Sequence, residues 1–202
     1  MDMSTLTKTA ETAAPLHPLL AERWSPRAFD TTHQVQSQEL TGLLEAARWA
    51  PSAANTQPWR FAVALRGTDE YAALLGTLMP GNQLWAGAAS ALIVAAAETV
   101  APDGQQRPWA LYDTGQAVAH LTVQAEHQGL SVHQMGGFDR SAVAELLDVD
   151  DTVVPLVVLA VGKRGELAAL DEALAEREAA KRERLPLDSL LLQVQARKSA
   201  AA

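Results

Sequence analysis

Ala50-Pro51-Ser52-Ala53-Ala54-Asn55-Thr56-Gln57-Pro58-Trp59 is the stretch from which the rest of the chain is best read. Two prolines stiffen a loop of small residues and put Asn55 and Gln57 at its exposed end. Side-chain amides donate and accept together, so they match the mixed polar edge of a pyrimidine-like ring. The competing reading is a turn in which Asn55 satisfies the backbone locally, and on chemistry alone the two are equal. Upstream, Ser37 to Trp49 reads as a helix: Ser37 can cap it, and Leu40, Leu43, Leu44 and Ala47 follow the i, i+3, i+4, i+7 pattern. Downstream, Arg60 to Leu65 reads as a strand punctuated by Gly67.

Working outward, Pro15 to Glu22 presents a short helical face of Leu16, Leu19 and Leu20. Asp69 to Leu78 is helical, and Ser90 to Ala97 is a buried strand without alternation. Trp109 to Leu130 is the longest helical pattern, apolar on more than one face (Leu111, Ala117, Val118, Leu121, Val123, Ala125), with Gly129 as its stop. Ser131 to His133 is a brief strand, and Asp139 can cap a short helix carrying Val143, Leu146 and Leu147. Val153 to Val161 is β-branched enough for a central strand despite Pro155. A charged helix is expected from Leu167 to Arg184, stopped by Pro186, and the apolar Leu190 to Val194 has nothing local to pack on. Strands outnumbered by helices in this order make an α+β layout. The expected organisation is a frayed leader over 1–14, one domain over 15–192 and a tail over 193–202.

Composition narrows the function. Hydrophobic residues at 48% suffice for a packed core, and a net charge of −8 with 20% charged residues argues against nucleic-acid or membrane-surface binding. With no cysteine, neither a thiolate metal site nor a cysteine nucleophile is available. The longest apolar run, Ala86 to Ala97, is too short to span a bilayer, so a soluble protein is expected, and the absence of cysteine fits a cytoplasmic one. No Gly-x-Gly-x-x-Gly follows a strand and no P-loop pattern occurs. His120 and His127 are seven apart on the long helix but lack a third ligand at helical spacing, which favours partly buried hydrogen-bonding histidines over a metal site.

A second motif is Arg23-Trp24-Ser25-Pro26-Arg27-Ala28-Phe29, two arginines bracketing a serine. Forked cationic donors beside a hydroxyl suit a phosphate monoester, although taken alone the motif is better explained by solvated arginines at a helix end. The two motifs together, in this order, resemble the N-terminal signature of the FMN-dependent nitroreductase family. Gly81-Asn82 ahead of a buried strand, Gln134-Met135-Gly136-Gly137-Phe138-Asp139 ahead of a short helix, Val161-Gly162, and Arg182-Glu183-Arg184-Leu185-Pro186 continue the likeness over most of the chain.

The resemblance implies a three-layer α+β sandwich around a central mixed β-sheet, interlocked into a homodimer with shared active sites. It implies FMN as cofactor, NADH or NADPH as donor and a small electrophile such as a nitroaromatic or quinone as acceptor, in ping-pong order. Arg23, Ser25 and Arg27 are then implied to hold the phosphate, ribityl chain or adjacent flavin edge, with Arg182 and Arg184 completing the phosphate site. Asn82 is implied at the pyrimidine edge and the backbone of Gly136 and Gly137 near flavin N5 and O4, where glycines let a chain approach a flat ring. Trp24 and Gln134 join the implied cofactor lining. Pro51, Ser52, Ala53, Asn55 and Gln57 are implied to reach the flavin from the other subunit. No side chain is assigned as nucleophile or general acid, and no metal is implied.

Two departures from the family pattern stand out. Trp85 occupies the place of a lysine that in some members lies three residues after the equivalent of Asn82, so either Arg27 stabilises charge at the pyrimidine edge or the reduced flavin is less stabilised than usual. Gly136 stands where several members carry an acidic residue. The alternatives are a specialised branch (dehalogenation, flavin fragmentation), a non-catalytic flavin-binding or redox-responsive protein of this fold, and a cofactor-free interaction module. Trp59 is expected in the core and Trp85 and Trp109 beside the acceptor, while Glu178, four residues before Arg182, offers a solvated helix pair as the alternative reading of the C-terminal arginines.

Overall fold

In the computed structural model, which describes Leu6 and residues 8–194, a four-stranded sheet forms the middle layer in the order β1 (Trp59–Leu65), β2 (Ala91–Glu98), β4 (Val153–Gly162), β3 (Ser131–Met135). All three pairings are antiparallel, where the resemblance implied a mixed sheet. Consecutive β1 and β2 need no parallel crossover, and α6 (Arg140–Leu146) returns the chain so that β4 enters between β2 and β3. Pro155 is accommodated at a register shift beside Ala96, where the ladder loses a hydrogen bond in any case.

β2 lacks alternation in polarity because both its faces are covered, yet its side chains still alternate between two cores. Leu92 and Val94 join Tyr71, Leu74, Trp85, Val143 and Leu174, from α3 (Asp69–Gly76), α4 (Pro80–Ala86), α6 and α7 (Glu172–Ala179). Ile93 and Ala95 join Leu43, Ala47, Val118, Leu121 and Ala125, from α2 (Ser37–Arg48) and α5 (Ala110–His127). Helices on both faces of one sheet make three layers.

Several local details differ from expectation. The helix expected over 167–184 is a 3-10 turn at Leu167–Ala169 followed by α7, whose cap is Asp171 and which ends at Ala179, well before Pro186. α4 was not foreseen, because seven residues opening on Pro80-Gly81 are too few for a helical period. α5 buries Ala117, Val118, Leu121 and Ala125, but its other face leaves Leu111 at 47% and Tyr112 at 64% exposed. His120 and His127 lie exposed on that helix rather than partly buried, and among the described residues no group of three His, Asp or Glu could hold a metal. Within the segment expected to fray, the Ala10 amide donates to the Ala21 carbonyl and Lys8 Nζ to the Glu178 carbonyl. Among the described residues no helix is long and apolar enough to cross a membrane.

Candidate functional site

α1 (Pro18–Glu22) stops at Arg23, whose ψ of 139° turns the chain into an extended run. From here burial alternates: Trp24, Pro26 and Ala28 point inward while Arg23, Ser25 and Arg27 stay only partly covered. That two-residue period puts the three polar side chains of the motif on one side. Two further arginines arrive from the far end of the chain. At Ala180 (φ −56°, ψ 140°) the chain leaves the helix, and Arg182 Nη1 donates to the carbonyls of Lys8 (2.7 Å) and Ala21 (2.6 Å), which draws it to the end of α1.

Arg23, Arg182 and Arg184 therefore converge. Burial, then the charge of Arg184, holds the Arg23 guanidinium below its ordinary range, with Glu126 acting in the opposite sense. Arg182 is lowered by burial and by Arg23 and Arg184. Three cations repelling one another are the mark of a place built for an anion. The Nε of Arg23 is buried and has no hydrogen-bond partner among the described residues, an expensive arrangement unless a ligand supplies the acceptor. A phosphate monoester fits this donor set.

Arg27 is engaged differently. Its guanidinium is 3.5 Å from the Glu178 carboxylate and its backbone N–H donates to Glu178 Oε2 at 3.2 Å. Trp24 Nε1 donates to Glu178 Oε1 at 3.0 Å, and the Trp24 ring lies under the Arg164 guanidinium at 3.9 Å. Arg164 is in turn ion-paired with Glu126 and donates to Ser131 Oγ at 2.8 Å. Behind Arg27, His133 contacts the Pro26 carbonyl through Nδ1 (3.0 Å) and packs on Trp85 with ring centroids 4.3 Å apart. Burial pushes the His133 pKa down, and the Arg27 charge adds to that. Trp85 is 3% exposed, so it fills the core beneath the site instead of lining an acceptor pocket. A cavity of about 360 Å³ opens on the far side of this segment, between Arg27, Thr31, Leu84, Ala88 and Leu170.

β3 runs at the edge of the sheet from the arginine end to the glycine pair. Gly136 lies five steps along the chain from Ser131, which sits beside Arg164, about 17 Å in an extended strand. At the far end Gly137 O accepts from the Met79 amide and from Asn82 Nδ2, both at 3.0 Å, so Asn82 and the glycine pair form one unit. A Cβ on Gly136 would meet nothing within 4 Å, which leaves an open, flat approach to this backbone. A Cβ on Gly137 would instead crowd Asn82 Nδ2 at 3.2 Å. Gln134 is exposed on β3 and donates to Thr122 Oγ1 of α5 at 3.1 Å. An anion site at one end of an edge strand and an unobstructed backbone at the other suit an elongated ligand with a terminal phosphate.

The Pro51–Pro58 loop is not gathered into this constellation. The Ala53 amide donates to the buried Asp113 carboxylate at 3.0 Å, which pins the loop to the start of α5. Arg60 donates to Gln57 O and to Glu98, and Ser52 Oγ accepts from the Gln57 amide at 3.1 Å. Ala54, Asn55 and Gln57 have φ of 50°, 56° and 47°, a left-handed conformation costing on the order of 1 kcal/mol each for residues with a Cβ. The loop is thus strained and preformed, with Pro51, Asn55 and Gln57 exposed and Ser52 and Ala53 half-covered. Asp113 precedes Glu126 by 13 residues of α5, roughly 20 Å. The loop also feeds β1, the sheet edge opposite β3, about 14 Å across. Within one chain the loop and the arginines lie far apart.

Glu178, Glu126 and Arg164 are the residues that sequence reading missed. Glu178 looks like a solvated partner of Arg182, but it is 3% exposed and bonded to residues more than 150 positions away. The available signal was Leu174, four residues earlier, which marks the inward face of the same helix.

A sequence model of the Nitroreductase family matches residues 20–81 and 74–163, more than half of the chain. A solved structure of an FMN-containing oxidoreductase superposes with a TM-score of 0.86 at 34% identity, covering 95% of this chain and 98% of that one. Protein DrgA of Synechocystis is 31% identical over 84% of this chain and 91% of its own length. The oxygen-insensitive NADPH nitroreductase of Helicobacter pylori is 49% identical over 43 residues, 21% of this chain and 20% of that protein. The α+β sandwich is of the nitroreductase type. The chain belongs to the nitroreductase family.

Proposed function

We propose that this protein is an FMN-dependent oxidoreductase that takes electrons from NADH or NADPH and delivers them to a small electrophilic acceptor in ping-pong order. The observation that carries the reading is the convergence of Arg23, Arg182 and Arg184 with a buried, unpartnered Arg23 Nε. One terminal phosphate satisfies that donor set. Bound there, FMN supplies the hydride-accepting ring that the side chains of this chain do not replace. Arg23, Arg182 and Arg184 hold the phosphate, with Ser25 beside the ribityl path, whereas Trp24, expected in the cofactor lining, is buried behind it against Glu178. Asn82, Gln134, Gly136 and Gly137 lie at the ring end of β3. Arg27 is neutralised by Glu178, so the pyrimidine edge receives less positive charge than two free cations would give.

The site is completed by a second copy of the chain, whose Pro51, Ser52, Ala53, Asn55 and Gln57 come over the ring. The separation of that loop from the arginines within one chain supports this arrangement. So do the exposed apolar side chains on α5 and in the C-terminal arm, among them Trp109 at 61%, Tyr112 at 64%, Leu191 at 66% and Leu192 at 96%. A two-fold axis gives two equivalent sites per dimer.

Chromatography of the flavin released by acid, followed by anaerobic addition of NAD(P)H to the yellow protein, tests the reading. About one FMN per chain and rapid bleaching are expected. FAD, colourless protein or a flavin that stays oxidised for minutes contradicts it. Initial-rate lines that intersect instead of running parallel contradict the ping-pong order.

A further inference from the structure

The C-terminal arginines are delivered by a helix with little to hold it. α7 has eight residues and buries two side chains, Leu174 and Glu178, one turn apart on the same face. Leu174 joins the core with Phe29 and Trp85. Glu178 accepts from the Trp24 indole at 3.0 Å and the Arg27 amide at 3.2 Å, and pairs with the Arg27 guanidinium at 3.5 Å. All three contacts fall on the N-terminal segment that carries Arg23. Four and six residues beyond Glu178 lie Arg182 and Arg184, which Arg23 repels.

We propose that Glu178 is a positioning residue for the phosphate: it locks the N-terminal and C-terminal arginine segments in register against their mutual repulsion, so that the anion site exists before its ligand arrives. This rests on the FMN reading above. Without the lock, the segment after Ala179 keeps the Arg182 bonds to the Lys8 and Ala21 carbonyls but loses its tie to the Arg27 segment, and the ordering that the ligand must then supply is subtracted from its affinity. The direction of the effect separates this role from that of a merely nearby charge. A carboxylate close to an anion site opposes anion binding, so neutralising it should strengthen FMN binding unless its positioning role outweighs its charge.

Glu178→Gln keeps an acceptor for the indole but removes the charge that holds Arg27. Dissociation constants for FMN and for riboflavin, which lacks the phosphate, are measured on flavin-stripped full-length protein, with Arg184→Ala as reference. For Glu178→Gln, FMN is expected to weaken by about tenfold, the low end of the scale for a charge-assisted hydrogen bond, while riboflavin changes little. A variant that damages the fold generally weakens both ligands alike. Unchanged or tighter FMN binding in Glu178→Gln, alongside a reference variant that loses only FMN affinity, overturns the proposal and leaves the phosphate reading standing. A reference variant that loses no phosphate-specific affinity overturns both. Should Glu178→Gln not fold, Trp24→Phe removes one donor to the same carboxylate and must weaken FMN relative to riboflavin in the same direction; no change there also overturns the proposal.

Discussion

Replacing Arg23 by methionine should stabilise the flavin-free protein while weakening its hold on FMN. The methionine keeps the apolar stem and removes the guanidinium. In the absence of ligand that guanidinium has a buried Nε without a partner and faces the charge of Arg184. An unsatisfied buried donor costs about 1–3 kcal/mol. Against this stands the lost attraction to Glu126, which is small because Glu126 keeps Arg164 as its ion-pair partner. The net gain is therefore about 1 kcal/mol, a rise in Tm of roughly 2–4 °C for a chain of this size. With FMN present the same guanidinium donates to the phosphate, and its loss should cost about 1.5–3 kcal/mol, or roughly 10- to 150-fold in Kd. The order of stability should consequently invert at saturating FMN, since a ligand bound only to the folded state stabilises wild type more. Thermal melts of both proteins, stripped and reloaded, read both effects. A stripped Arg23→Met protein less stable than stripped wild type, or an FMN affinity within twofold of wild type, refutes the reasoning.

Two further perturbations test the frame around the site. A Cβ on Gly165 would lie 2.6 Å from the backbone C and O of Phe29 and 3.0 Å from the Asp30 amide. Since backbone cannot yield as a side chain does, Gly165→Ala should lose about 1–3 kcal/mol in urea unfolding, and an unchanged midpoint would contradict the packing described. His133 is held neutral by burial, with a folded pKa below its ordinary value. The unfolded chain then binds the proton more readily, so the contribution is present above the ordinary histidine pKa and is lost as pH falls from about 6.5 toward the folded value. Wild type should lose stability between pH 7 and pH 5 more steeply than His133→Gln, by at most about 1.4 kcal/mol per pH unit. Parallel curves would show that His133 does not carry the dependence.

What could be read from sequence followed how local each cause is. The helix at Ser37–Arg48 and the cap at Asp139 depend on neighbours within a turn or two and stand as elements, with the Asp139 carboxylate accepting from Ser141 and Ala142. The helix, however, is capped by Gln36 in a box with Glu39 and not by Ser37, which is its first helical residue. The strand through Pro155 was legible because eight other apolar or β-branched positions outweigh one missing donor. The arginine cluster was legible only as motif residues, because nothing local says that Arg182 meets Ala21. Glu178 entered the sequence reading only as half of an alternative surface pair with Arg182, and its partners lie at the other end of the chain. The antiparallel character of the sheet depends on where β4 inserts, which is a property of the assembled layers.

The claim that the arginines of one chain meet the Asn55 loop of another is open to a direct measurement. One variant carries Arg23→Ala and Arg184→Ala, a second carries Asn55→Ala and Gln57→Ala, and each alone should be nearly inactive in NAD(P)H-dependent acceptor reduction. Co-expression yields heterodimers in which one site holds both defects and the other holds none. Purified heterodimers should regain about half of the wild-type activity, as expected when independent sites carry the defects separately. No recovery in verified heterodimers, or a stable monomer with full activity, would show that the site is built within one chain.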